Sequence, residues 1–85
     1  MDYPLFEDVI LLVDLPEYGV LAGDVGVVVE RHDVPNMEVG YTVEFFNLSG
    51  DTVAVVTTPA SNLRRPVAVD RPVIRPVLAD LTASR

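Results

Sequence analysis

A chain of 85 residues with a formal net charge of −7 and no cysteine has room for one small domain, and one this short buries only about 60% of its unfolded surface. It lacks the means for a disulfide framework or a Cys-ligated zinc or iron–sulfur site. Residues 1–62 carry eleven carboxylates against Arg31 alone, whereas residues 63–85 carry five arginines against Asp70 and Asp80, so the body repels phosphate and attracts a basic partner or its own tail, unless the surplus acid serves solubility alone.

Alternation with a period of two dominates, and no window of about 11 residues carries a helical stripe, so the chain reads as all-β. Residues 8–14 are apolar enough for a buried first strand. Val9, Leu11 and Val13 face one way and Ile10 and Leu12 the other, which requires cover on both sides or a bend across a barrel corner. Residues 15–26, Leu-Pro-Glu-Tyr-Gly-Val-Leu-Ala-Gly-Asp-Val-Gly, form a long glycine-punctuated loop. A second strand follows over residues 25–31, with its valines pointing the same way.

Asp33, Pro35, Asn36 and Gly40 break the next connection, after which Tyr41, Val43 and Phe45 alternate with Thr42 and Glu44 as a half-buried third strand. Residues 47–51 predict a hairpin loop in which Gly50 takes the left-handed conformation, and residues 52–58 return as strand four. Residues 59–62 are too short for an α-helix and, opening on a proline, suit one 3₁₀ turn. Residues 63–67 predict strand five. Five short strands, a long first loop and a 3₁₀ turn before the last strand are the layout of a small SH3-like barrel, with a small open sandwich as the alternative; closure also removes exposed sheet edges. Tyr3 and Phe6 are expected to close one end of the barrel.

Residues 1–67 thus predict the barrel domain and residues 68–85 an extended C-terminal tail rich in proline and arginine. Arg65-Pro66-Val67, Arg71-Pro72-Val73 and Arg75-Pro76-Val77 repeat one tripeptide. Proline removes backbone donors and biases its neighbours to extended conformations, so the tail is neither a central strand nor a regular helix. It either stays disordered or docks on the same or a neighbouring subunit, with Arg71 and Arg75 meeting the acidic body.

Chemistry has few residues to work with. There is one histidine, His32, and no lysine, which removes Cys–His nucleophiles, Schiff bases and phosphate-binding P-loops together. No serine sits in a nucleophile elbow. His32, Asp33 and Glu38 share a loop without a metal-ligand spacing, and Glu7 and Asp8 are neighbours on a strand that point to opposite faces. The expectation is therefore a non-enzymatic chain with no cofactor, no metal and no small-molecule substrate. Its longest apolar run, residues 9–13, is far short of the roughly 20 residues of a membrane span, and Met-Asp-Tyr-Pro opens on acid where a signal peptide is basic; a cytoplasmic location is expected.

The stretch Gly23-Asp24-Val25-Gly26-Val27-Val28 is similar to the KOW element of ribosomal and transcription proteins, whose glycine also marks the turn into a strand. Those proteins place basic loops on RNA. Asp24 and Glu30 stand here instead, so the likeness supports a barrel and disfavours nucleic-acid binding. Tyr18, between Glu17 and Gly19, either folds over the barrel end as core or is an exposed contact residue of the kind that grips peptides.

Residues 15–19, Ala22-Gly23-Asp24-Val25-Gly26-Val27-Val28-Val29-Glu30, Tyr41-Thr42-Val43-Glu44-Phe45 and residues 56–64 (Val-Thr-Thr-Pro-Ala-Ser-Asn-Leu-Arg) together resemble the DUF4926 family of small, mostly bacterial proteins without an established function. The resemblance spans about residues 5–66. It implies an SH3-like barrel and carries over no catalytic or ligand residue; the tail beyond it departs from the family pattern. The resulting expectation is a protein-interaction module, an acidic barrel that binds a protein partner or itself through Glu17, Tyr18, Asp24, Arg65, Arg71 and Arg75. Two alternatives stand beside it: an antitoxin-like or immunity-like partner of a basic toxin, and KOW-like nucleic-acid binding through the tail arginines.

Overall fold

The computed structural model describes residues 2–76. Five antiparallel strands, β1 (Asp8–Leu11), β2 (Val25–His32), β3 (Gly40–Phe46), β4 (Thr52–Pro59) and β5 (Leu63–Arg64), form one sheet in the order β4-β3-β2-β1-β5 that curls into a half-barrel. Two 3₁₀ turns interrupt it, η1 (Pro16–Tyr18) in the long first loop and η2 (Ala60–Asn62) between β4 and β5. This is the small-barrel layout that the order of strands and breakers predicts, but the curl stops short of the expected closure, since β4 and β5 do not pair and, among the described residues, remain as edges.

The register explains the core. Val28 lies opposite Val43, and Val43 opposite Val56, so three β-branched side chains cross the concave face in one row, all buried. Tyr41 and Phe45 flank that row on β3, and Leu11 pairs with Leu63 to continue it across β1 and β5. Tyr3 closes one end. Its ring meets that of Tyr41 edge-on at 5.2 Å between centroids, and its hydroxyl donates to the Leu63 carbonyl at 2.8 Å. The N-terminus is thereby tied to β3 and β5 together, which an aromatic with a polar tip does well.

Four further expectations need correction. The first strand ends at Leu11 rather than Asp14, because the Leu12 N–H turns to the Asn62 carbonyl (2.8 Å) and the Asp14 carboxylate accepts the Ala22 N–H (2.9 Å). The β2 valines do not share a face. Val28 points inward, Val25 and Val27 lie opposite Ile10 and Asp8 of β1, and an irregularity between Val28 and Glu30 shifts the pairing with β3. The last strand stops at Arg64, since Pro66 has no N–H to give a ladder. Phe6 does not cap the barrel: it is 75% exposed and holds a left-handed φ of 67°.

The hairpin between β3 and β4 turns as expected. Gly50 has φ 86°, and the Asn47 side-chain oxygen accepts the N–H groups of Ser49 (3.0 Å) and Asp51 (2.9 Å), an Asx-type closure.

Candidate functional site

The long loop is built by its acidic residues as much as by its glycines. Pro16 opens η1, and Gly19, at φ 76°, returns its N–H to the Pro16 carbonyl. Leu15 and Val20 bridge across the base of the loop, and Val20 is buried as its anchor. Gly23, at φ 96°, makes the turn into β2. Next to it the Asp24 carboxylate accepts the Leu21 N–H at 3.0 Å.

Asp24 is also where the C-terminal segment arrives. After β5, residues 65–76 cross the convex face of the sheet as an irregular strap. Three contacts hold it. The Arg65 guanidinium donates to the Asp2 carbonyl at 2.7 Å. Asp70 folds back on Arg64 through two parallel hydrogen bonds of 2.8 Å, and it accepts the Val67 N–H at 2.6 Å while its own N–H reaches the Val67 carbonyl at 2.9 Å. Bidentate donation of this kind fixes direction as well as charge. Those donors, the Arg64 guanidinium foremost and then the Val67 N–H, hold the Asp70 carboxyl at a pKa of about 2, below its ordinary 3.8. At the far end Arg75 forks onto Asp24, with Nε 3.2 Å from one carboxylate oxygen and Nη2 on the other.

The strap gives β1 its second cover. Ile10 points outward, opposite Val25 and Arg64, and is nevertheless only 6% exposed. The two-sided apolar pattern of residues 9–11 is thus explained by the barrel on one side and the strap on the other. Between strap and sheet runs a groove of about 720 Å³ whose walls include Ile10, Val25, Phe46, Leu48, Arg71 and Val73. Its hairpin side is apolar and open to solvent, with Leu48 89% exposed.

The sequence-derived site residues separate into four places. Asp24 and Arg75 meet. Arg65 serves the N-terminus, and Arg71 lines the groove with no hydrogen bond or ion pair among the described residues. Glu17 and Tyr18 stand on η1, none of whose residues is buried, and Tyr18 is 52% exposed and so not part of the core. Val77 of the third tripeptide lies outside the described residues. Arg64 and Asp70, which brace the strap, escape a motif-based reading, although opposite charges flanking a proline were a usable signal.

Around His32 the polar side chains are engaged within the chain. The ring Nε2 pairs with the Thr42 hydroxyl at 2.7 Å, which continues to Thr57 at 2.8 Å. Asp33 pairs with Arg31 and Glu38 holds Ser61. Among the described residues no three His, Cys, Asp or Glu side chains gather as metal ligands.

A domain of unknown function, DUF4926, matches residues 5–65, which is most of the chain. The chain belongs to the DUF4926 family. No curated protein and no solved structure matches it. The DUF4926 match ends at Arg65, so it covers the half-barrel, the long loop and β5 but not the part of the strap that carries Asp70, Arg71 and Arg75. Among the described residues no helix is long and apolar enough to cross a membrane.

Proposed function

We propose that this DUF4926 protein is a non-enzymatic interaction module of the cytoplasm, an acidic half-barrel that binds a protein partner or a second copy of itself. The observation that carries the reading is the open, apolar convex face beside the strap, where Phe46, Leu48, Val25 and Val73 line one groove. Exposed apolar surface bordered by charge is the ordinary mark of a protein contact. The arginines support this reading over nucleic-acid binding: Arg31, Arg64, Arg65 and Arg75 are engaged within the chain, which leaves few cations for phosphates.

Light scattering over a range of concentrations, on the full chain and on one ended after residue 67, tests self-binding. Retention of a specific protein from native extract by the wild type, lost in Phe46→Asp and Leu48→Asp, tests binding to a partner. A single-chain mass throughout together with no difference in retention removes the reading. The eleven carboxylates of residues 1–62 favour a basic partner, and a toxin encoded beside this chain is the specific form of that case. Co-purification of the two products supports it; their free coexistence in one cell counts against it.

A further inference from the structure

We infer that the free edge of β4 is a homotypic interface, at which a second copy of the chain adds its own β4 in antiparallel register. This deepens the interaction reading above and rests on its self-binding form.

The sheet order leaves two edges, β4 and β5, and they are treated differently. β5 is two residues long, Pro66 follows it closely, and Asp70 occupies the Val67 N–H; nothing can extend that edge. β4 runs for eight residues. Its residues 54–58, Ala-Val-Val-Thr-Thr, hold no charge and no proline, and the one bulge of the strand, at Val53, lies at its hairpin end, before that run. Charge, proline, bulges or a covering element are the usual means of blunting an exposed edge. Among the described residues, residues 54–58 pair with β3 and make no other backbone hydrogen bond. η1 lies beside β4 but buries none of its own residues there and makes no backbone hydrogen bond to it. Val55 is 54% exposed.

The occupant that fits is a second β4. A strand edge is satisfied by another strand edge, and two identical antiparallel edges are self-complementary about a two-fold axis. Although each chain carries −7, the uncharged run brings no like charges face to face within the ladder. Because side chains alternate with a period of two, the two-fold must fall on a residue if both sheets are to keep their faces. With Val55 on the axis, Ala54 lies opposite Val56 on either side of it, small and β-branched pairs that suit a ladder, and the bulge at Val53 bounds this short regular stretch. This register also leaves Pro59, which has no N–H, outside the pairing.

Sedimentation equilibrium on the full chain is expected to show a reversible dimer, and Val55→Lys is expected to return it to the mass of one copy while it still unfolds cooperatively. A single-copy mass for the wild type at every concentration overturns the inference. So does a folded Val55→Lys chain that dimerises like the wild type; if that dimer is instead lost in Phe46→Asp, the interaction function stands and only its placement on β4 falls. Cross-linking keeps the test independent of the lysine variant. The chain has no cysteine, and residues facing each other across an antiparallel pair have Cα atoms about 4.5–5.5 Å apart, within disulfide reach. Val55→Cys is expected to oxidise to a linked dimer faster than Leu48→Cys on the exposed hairpin, and equal rates overturn the register. A monomeric wild type in which the β4 amides that face away from β3 are nevertheless protected from hydrogen exchange would put another segment of its own chain on the edge, which also overturns the second copy.

Discussion

Gly26 and Phe6 show how single positions are set by what surrounds them. Gly26 stands inside β2 with an ordinary φ, so it is not there for a turn; a Cβ on it would overlap Val43 Cγ1 and come to 3.0 Å from Phe45 Cε1 and 3.1 Å from the Glu44 carbonyl. Val43 is stiff and fully buried, and the carbonyl belongs to the ladder. Gly26→Ala is therefore expected to destabilise by about 1–3 kcal/mol, the usual cost of overpacking, read from denaturant unfolding. Phe6 is the opposite case, an exposed aromatic in the left-handed region at φ 67°. Relief of about 1–2 kcal/mol of backbone strain outweighs the roughly 0.5–1 kcal/mol of chain entropy that glycine adds. Phe6→Gly is expected to raise the midpoint of unfolding. The glycine spacing in residues 23–26 was plain in the sequence, but the two reasons for it were not: Gly23 is required by its φ of 96° and Gly26 by contact with β3.

At the scale of elements the strap is the part whose strength depends on conditions. The Asp70 carboxyl is depressed from 3.8 to about 2 by Arg64 and the Val67 N–H. A carboxyl depressed on folding stabilises above its unfolded pKa, and that contribution is lost as pH falls through the folded value. The strap turn is thus expected to hold at pH 4 and above and to loosen as pH approaches 2, read as faster exchange of the Val67 and Asp70 amides; Asp70→Asn should show the fast exchange at neutral pH. The far end behaves separately. Arg75→Ala is expected to free residues 71–76 and uncover Ile10, seen as a gain in proteolysis within the strap with little change in the unfolding midpoint, because a partly exposed ion pair contributes roughly 1 kcal/mol or less. Strand existence was legible from alternation at β3 and from the breakers around Gly40 and Gly50. Strand ends were not, because the Leu12 N–H goes to Asn62 and the Val67 N–H to the Asp70 side chain, a distant partner in one case and a side chain rather than a ladder carbonyl in the other.

Across the whole molecule, closure depends on Tyr3, which joins the N-terminus to β3 and β5. Burial, with Tyr41 beside it, raises the Tyr3 hydroxyl above its ordinary 10.0. A group whose pKa is raised on folding contributes fully below its unfolded pKa and is lost as pH climbs through the folded one. The barrel is expected to weaken above pH 10, and Tyr3→Phe to cost about 1 kcal/mol at neutral pH through the hydrogen bond to Leu63 while flattening that alkaline loss in thermal unfolding. The amino-acid sequence by itself determined the all-β class, the five strands, the left-handed Gly50 turn, the split between acidic body and basic tail, and the family, since each rests on local periodicity, turn chemistry or residue order. The tertiary structure alone decided which arginines are spent within the chain, why Ile10 is covered, and that β4 keeps an open edge among the described residues. Those outcomes turn on which distant segments lie against one another, and a residue type carries no record of its neighbour 51 positions away, as Asp24 and Arg75 are.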